Sequence, residues 1–598
     1  MRSVRPDKAS TDRTAGLLRL AASVGVLVAV YVAAQLAAAR HAGWVAAGIG
    51  LPLAAAAALM LPIRPRSVAP PEAATKLSLL LPAAGALFAL ALLPVLLRQL
   101  PPEDDYPNHL ARILVMAEGG RDALLAQFYA IRWKVIPNLG MELLLPWLAA
   151  RTGVFFAGKL FLVLTMLLLL AGPFAIHRGL FGRHSPGPLV AVLFAYNGVS
   201  KMGILNYEFG VGLALLATAS WIALRTRGAA TRASVSAGWV VVLFLCHLEA
   251  LGIYALAIGS FEMWRAWTGP RLRRPLLIDA TALALPFAPA VALWLLGPAK
   301  HGDYATPTEW GGLHARIDGI RFLFAAYDPR SDLLAMLAMA AALAFALRRG
   351  MLGMHPFGWV LLAVAAAAYM IVPNQLFGTW GAADRLPIAV LLVLLGAMRW
   401  TLASARTRAV FLAVLALLAI FRVASVEAAF RRYDRIVADM RASLALIPRG
   451  SRVLVATAAP AGADDALAGA VEELPLLAMI ERSSLVSLAY AHPLQQILVV
   501  RPPYQASTGG FSDQPIPLPL LLAPPDRFAA GHRPPFDPSG RIYWRDWPRD
   551  YDFVYVIDRA GPDSPAPGRL ALVYAGDRFQ LFRVTAPAPA AASPPLPR

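Results

Sequence analysis

Long apolar runs recur along this chain, separated by short polar stretches in which arginine predominates. A hydrocarbon core of about 30 Å is crossed by about 20 apolar residues in helical form, and shorter pieces suffice inside a bundle. The runs therefore predict membrane-spanning helices at 14–39, 43–63, 77–99, 155–176, 188–205, 209–224, 275–297, 331–347, 356–373, 386–398 and 409–425. The apolar stretch 236–263 is read as two short helices that turn near His247 and Glu249. One long helix would instead carry the basic loop with Arg265, Arg271, Arg273 and Arg274 to the face opposite every other basic loop. The total is about thirteen spans.

After residue 425 the pattern changes. Residues 426–447 keep helical apolar spacing but carry charges between, so they should lie along the membrane surface or lead away from it. Short β-type runs then follow at 452, 495, 552, 570 and 579, alternating with segments rich in proline and glycine, with one helical run around Val471 to Glu481. The expected organisation is a transmembrane domain at 1–425 with an outer loop at 100–154, a soluble α/β domain at 426–585, and a disordered tail at 586–598. The fold class expected is mainly α, a polytopic transmembrane helical bundle with a C-terminal extracytoplasmic α/β domain.

Composition agrees with this pattern: 58% of residues are hydrophobic and only 15% charged, so lipid must solvate most of the chain. The formal charge of +19 does not point to nucleic acid, because the cations sit in the short segments between apolar runs. One face receives Arg178 and Arg183, Arg225, Arg227 and Arg232, the Arg265 to Arg274 group, Arg348 with Arg349, and Arg399, Arg406 and Arg408. The short loops of the other face carry only Arg40 and Arg385. By the positive-inside rule the N-terminus is cytoplasmic and the C-terminal region lies outside. The abundance of Ala, Arg and Pro suggests a bacterial source, hence an inner membrane. The single cysteine, Cys246, excludes an intrachain disulfide and any Cys-rich metal site. No P-loop and no GxGxxG is present.

Candidate chemistry gathers on the outer face. In LPPEDDYPNHLAR, directly after the third span, Glu103, Asp104 and Asp105 sit at the membrane surface. Pro107 suits the first turn of a new helix, which puts the aspartates at its N-terminus and His109 and Arg112 three apart on one side. Helix capping would account for one acid, but not for three followed by a histidine. The three carboxylates could hold Mg or Mn through oxygen ligands, or the site could be metal-free. Lys201 lies within an apolar segment whose outer end carries Asn206, Tyr207 and Glu208, and a charge at that depth marks either a cavity wall or an ion-pair partner. His247 and Glu249 fall at the proposed helical turn, and Asp384 and Arg385 at a span entrance. The loop at 298–330 carries acids beside aromatics, with no role assigned. The Pro-broken apolar segment 132–153 should rest on or dip into the bilayer.

Asp105, Tyr106 and His109 resemble the first-outer-loop motif of membrane glycosyltransferases of the GT-C fold, the superfamily that includes protein mannosyltransferases and aminoarabinose transferases. That motif is usually Asp-Glu followed by Tyr or His, and here Tyr106 replaces the second acid. The resemblance implies an inverting transfer from a polyprenyl-phosphate-linked sugar to a glycan, lipid or protein acceptor. A carboxylate takes the acceptor proton, Asp105 first and Asp104 next, and cations among His109, Arg112, Lys201 and Arg385 meet the lipid phosphate. Two other readings stay open on the residues alone. A transporter or flippase would show mid-span acids and paired broken helices in two related halves, which the pattern lacks. A non-catalytic envelope-assembly factor would use the C-terminal domain to bind a partner.

Overall fold

The computed structural model describes residues 77–268, 283–297, 309–310, 312–375, 380–458, 465–492, 495–509, 514–523, 542–559 and 563–585. The first two expected spans, Arg271 to Arg274, part of the 275–297 span, most of the loop 298–311 and the expected disordered tail lie outside these residues.

Among the described residues, six helices are long and apolar enough to cross a membrane. They include α1 (Leu77–Leu97), which leads into the acidic loop, and its two-turn-longer neighbour in the bundle, α4 (Val154–Phe181). Between these come α2 (Tyr106–Glu118) and α3 (Gly140–Thr152). The expected span at 188–205 is not a continuous α-helix. It is an eight-residue 3-10 helix (Gly187–Phe194), then a five-residue α5 (Gly198–Met202). Gly187 and Pro188 open it tightly, and Asn197 interrupts it by accepting the N–H groups of Val199 and Ser200 in a capping box. Its apolar side chains, Leu189 and Val192 among them, are buried against protein. The segment still traverses the bundle, since Gly187 abuts Trp400 at one end while the Met202 carbonyl accepts the Asp105 N–H at the other. Irregular backbone at that depth is tolerated because protein surrounds it.

After α6 (Leu205–Ala223), the stretch read as two short helices forms α7 (Ala229–Cys246) and α8 (Leu248–Thr268), broken at an extended His247. The break is where the sequence placed it, but each arm is as long as a full span, because α7 starts seven residues earlier than the apolar run suggests. Arg232 on one arm and Arg265 on the other both pair with Glu262, so the two tails lie together and His247 turns at the far end. The basic loops meet at that same tail end: Arg225 donates to the Gly179 carbonyl, and the ribbon pairing Leu352–Met354 with Met398–Trp400 lies beside it.

Further along come α9 (Gly312–Arg321), α10 (Pro329–Arg348), α11 (Pro356–Ile371), α12 (Ala382–Ala397) and α13 (Ala405–Leu444). At 40 residues, α13 runs unbroken from span to charged surface, so the helix expected after 425 is its continuation and the boundary drawn there falls inside it. It leads into a six-stranded sheet formed by β2 (Arg452–Thr457), β3 (Leu485–Val486), β5 (Ile516–Pro517), β6 (Phe553–Ile557), β7 (Leu570–Ala575) and β8 (Phe579–Val584), ordered β3-β2-β6-β8-β7 with β5 also on β2. The pairs of β2 with β3, β5 and β6 are parallel, and those of β8 with β6 and β7 are antiparallel. The run at 495 yields β4 (Leu498–Val500), which pairs not with this sheet but with β1 (Tyr129–Ile131) of the first loop, Tyr129 opposite Val500. One continuous apolar core joins α2, the loop and the sheet, with Leu110, Tyr129, Val453 and Leu485 all fully buried. The C-terminal region is thus fastened onto the acidic loop.

Candidate active site

The acidic loop owes its position to backbone bonds rather than to its own carboxylates. Asp104 and Asp105 donate their N–H groups to the carbonyls of Lys201 and Met202, at 2.8 and 3.1 Å, clipping the loop onto the turn that follows α5. Gly203 turns the chain there at φ +74°, and a Cβ on it would come within 3.0 Å of the Asp105 nitrogen, so the close approach needs glycine.

The three acids diverge. Glu103 points inward, is buried, and acts electrostatically on the hydroxyls of Tyr106, Tyr196, Tyr327 and Tyr433. Burial, and after it the charges of Glu208 and Asp104, hold its carboxyl well above the usual range. Asp104 points towards the C-terminal region. Gly469, in the six-residue α14 (Ala468–Glu473), lies so close that a Cβ there would be 2.6 Å from the Asp104 carboxyl carbon, and the Ala470 N–H donates to the carboxylate. Burial pushes Asp104 up to about 6 against the opposing pull of Lys201 and that N–H. Asp105, partly exposed like Asp104, stands at the N-cap of α2, yet its side chain makes no capping hydrogen bond. The simple capping explanation therefore does not account for it. Among the described residues no group of three or more His, Cys, Asp or Glu side chains could hold a metal ion.

His109 and Arg112 fall on one side of α2, as their spacing requires, but their hydrogen bonds run inward. An Arg112 N–H contacts His109 Nδ1 at 2.6 Å, and the guanidinium pairs with Glu142 at 2.6 and 2.7 Å. Glu142 also accepts from Asn206 at 2.9 Å, which in turn receives the Met141 N–H at 2.6 Å. Both partners of the ion pair are 1% exposed. Burial, then the Arg112 charge, keep the His109 imidazole well below its usual pKa, while the Gly203 carbonyl takes its other hydrogen bond. A neutral, satisfied His109 fixes α2 to the 203 turn. Glu142 escaped the sequence reading, although a lone acid in GMELLLPW demands a cationic partner and was a usable signal.

A second group lies on the other side of the same turn. The Met202 methyl is 3.6 Å from where a Cβ of Gly381 would be, and Gly381 precedes α12, whose first turn carries Asp384 and Arg385. Arg385 is buried. Its guanidinium reaches both Glu249 oxygens at 3.3 and 3.4 Å and the Trp380 carbonyl at 2.6 Å, leaving its Nε without a partner. The Tyr207 hydroxyl donates to the Arg385 carbonyl at 2.8 Å, and the His247 ring meets Tyr207 edge-on at 5.4 Å. Asp384 turns away to Gly319 and Tyr369 on the adjoining helices. The 201–203 turn thus has the acidic loop on one flank and the His247, Glu249 and Arg385 cluster on the other, with Lys201 close enough to Asp104 to act on its carboxyl. His301, Asp303 and Tyr304 lie outside the described residues, and Asp328 caps α10 through Ser331.

No family model matches the sequence, and no curated protein matches it either. Among solved structures, the chain is similar to the crystal structure of ArnT from Cupriavidus metallidurans bound to undecaprenyl phosphate. The likeness covers 86% of this chain and 99% of that one, at 11% identity and a TM-score of 0.45.

Proposed function

We propose that this chain is a membrane glycosyltransferase that moves a sugar from a polyprenyl-phosphate carrier to a cell-envelope acceptor on the extracytoplasmic face, with Asp105 as the base. The observation that carries the reading is the placement of the partly exposed Asp105 carboxylate. It stands at the N-cap of α2, on a loop clipped by backbone hydrogen bonds to the turn that bears Lys201. A base must be held in place and must reach an incoming hydroxyl, and of the three acids Asp105 meets both conditions best. Glu103 is buried under the tyrosines, and Asp104, although partly exposed, has its carboxylate engaged by the Ala470 N–H of α14 and by Lys201. The departing lipid phosphate is assigned to Lys201 and Arg385, since Arg112 and His109 are committed to Glu142 and Gly203. A phosphate would displace the loosely held Glu249 from Arg385, whose contacts, at 3.3 and 3.4 Å, are longer than the 2.6 and 2.7 Å of the Arg112 pair.

In this reading the chain is a multi-pass inner-membrane protein whose basic end faces the cytoplasm and whose acidic loop, 201–203 turn and sheet face outward. The membrane domain then passes into the C-terminal domain within α13, and that domain ends near 585. A reporter fused at 270 should read cytoplasmic and one at 460 extracytoplasmic, and the reverse pair would reject the orientation. Asp105→Asn should lower sugar transfer by at least about a hundredfold, within the range a general base contributes, with span topology unchanged. Retained transfer would remove Asp105 from the base role.

A further inference from the structure

The segment that joins the first loop to α4 carries a surface that the chemistry above does not use. Along α3, Met141, Glu142, Leu145 and Ala149 are buried against the bundle, while Leu143, Leu144 and Trp147 on its other face are exposed. Trp133 and Val135, just before the helix, are exposed as well, Trp133 at 61% and Trp147 at 64%. This apolar face continues directly into the outward row of the span α4, with Phe156, Leu160 and Leu164 spaced one helical turn apart. A 13-residue helix is too short to span, so the face lies where a bilayer begins rather than inside it.

Its charges are one-sided. Between Arg132 and Lys159 the cations are Arg132, Lys134, Arg151 and Lys159, and the sole acid, Glu142, is buried in the pair with Arg112. Arg151 lies over the Trp147 ring at 4.0 Å, a cation and an interfacial aromatic side by side. Trp133 also lines a cavity of about 390 Å³ whose wall combines Val115, Met116 and Pro146 with Glu118, Asp122 and Arg501, large enough for part of an acyl chain.

We infer that the 132–151 segment is a monotopic platform that binds anionic phospholipid of the leaflet on the acidic-loop side, with Arg132, Lys134 and Arg151 meeting the headgroups and Trp133, Leu144 and Trp147 sunk among the acyl chains. The inference rests on the membrane architecture and not on the transferase reading. It is tested on the full chain reconstituted in mixed bilayers of phosphatidylglycerol and phosphatidylcholine, by extracting the protein and measuring retained lipid by mass spectrometry. The native chain should retain phosphatidylglycerol preferentially. Arg132→Gln/Lys134→Gln/Arg151→Gln should lower that preference by an order of magnitude or more, since each surface cation contributes roughly fivefold. Arg348→Gln/Arg349→Gln, at the opposite end of the bundle, should lower it less. Equal losses in the two variants, or none in the triple variant, would overturn the platform. A nitroxide at Leu144→Cys provides a readout that leaves the cations in place: greater accessibility to oxygen than to an aqueous nickel chelate is expected, and the reverse would overturn the inference even if the triple variant did not fold.

Discussion

Asp104 and Asp105 are adjacent, and their surroundings give them different chemistry. Asp104 is closed in by Gly469 and its carboxyl is raised to about 6, whereas Asp105 stands one residue on, at the N-cap of α2. A carboxyl raised from 3.8 to about 6 contributes stability that is full below pH 4 and lost as pH rises through 6, roughly 3 kcal/mol in all. Asp104→Asn removes this step and keeps an acceptor for the Ala470 N–H. Its thermal stability should match the native protein near pH 4 and exceed it above pH 7. A difference independent of pH would show that the burial of Asp104 has been misjudged. The Arg112 and Glu142 pair should behave in the opposite way. Losing either partner strands a buried charge at a cost of about 3 to 5 kcal/mol, so Arg112→Met or Glu142→Leu alone should severely lower the melting temperature. The double variant should recover much of the loss. Arg112 itself was visible in the sequence as a candidate, but its commitment to Glu142 was not, because nothing within 30 residues of local pattern reports which buried charges meet.

Among the elements, the long spans were legible because hydropathy and length are local properties, and α1, α4 and α10 lie close to where the apolar runs end. The turn at His247 was legible from charge parity alone. The 187–203 crossing was misread as a plain helix, since its apolar residues face protein rather than lipid and only Asn197 signals the break. The pairing of β1 with β4 could not have been foreseen, because three-residue strands about 370 positions apart carry no mutual local signature. Close packing where α2 crosses α4 supplies an element-scale test. A Cβ at Gly158 would sit 2.4 Å from Leu110 and 2.6 Å from the Tyr106 hydroxyl, so Gly158→Ala should cost about 1 to 3 kcal/mol of thermal stability. It should also reduce transfer by shifting the helix that begins beside Asp105. Full activity with native stability would mean that α2 tolerates displacement.

For the molecule as a whole, the structure sorts chemistry by end. The Arg232, Glu262 and Arg265 cluster and the ribbon at 352–354 mark one end of the bundle, while the acidic loop, the His247 turn and the N-terminus of α12 mark the other. The sheet is bonded to that second end through Asn108, which donates to the Leu488 carbonyl and accepts the Tyr490 N–H, and through the β1 and β4 ladder. A transporter that alternated access through this end would have to break those bonds, whereas an enzyme with a fixed site retains them. The turn that carries Lys201 has the acidic loop on one side and the start of α12, with Arg385, on the other, so the residues assigned to base and phosphate in the proposed reaction gather about one turn. The most direct test of this account is the transfer rate of purified Asp105→Asn, beside Asp104→Asn and the native chain, in proteoliposomes supplied with a polyprenyl-phosphate sugar and a cell-envelope acceptor. The account predicts transfer by the native chain, a loss of at least about a hundredfold in Asp105→Asn, and a much smaller loss in Asp104→Asn. Transfer by Asp105→Asn at the native rate would contradict it.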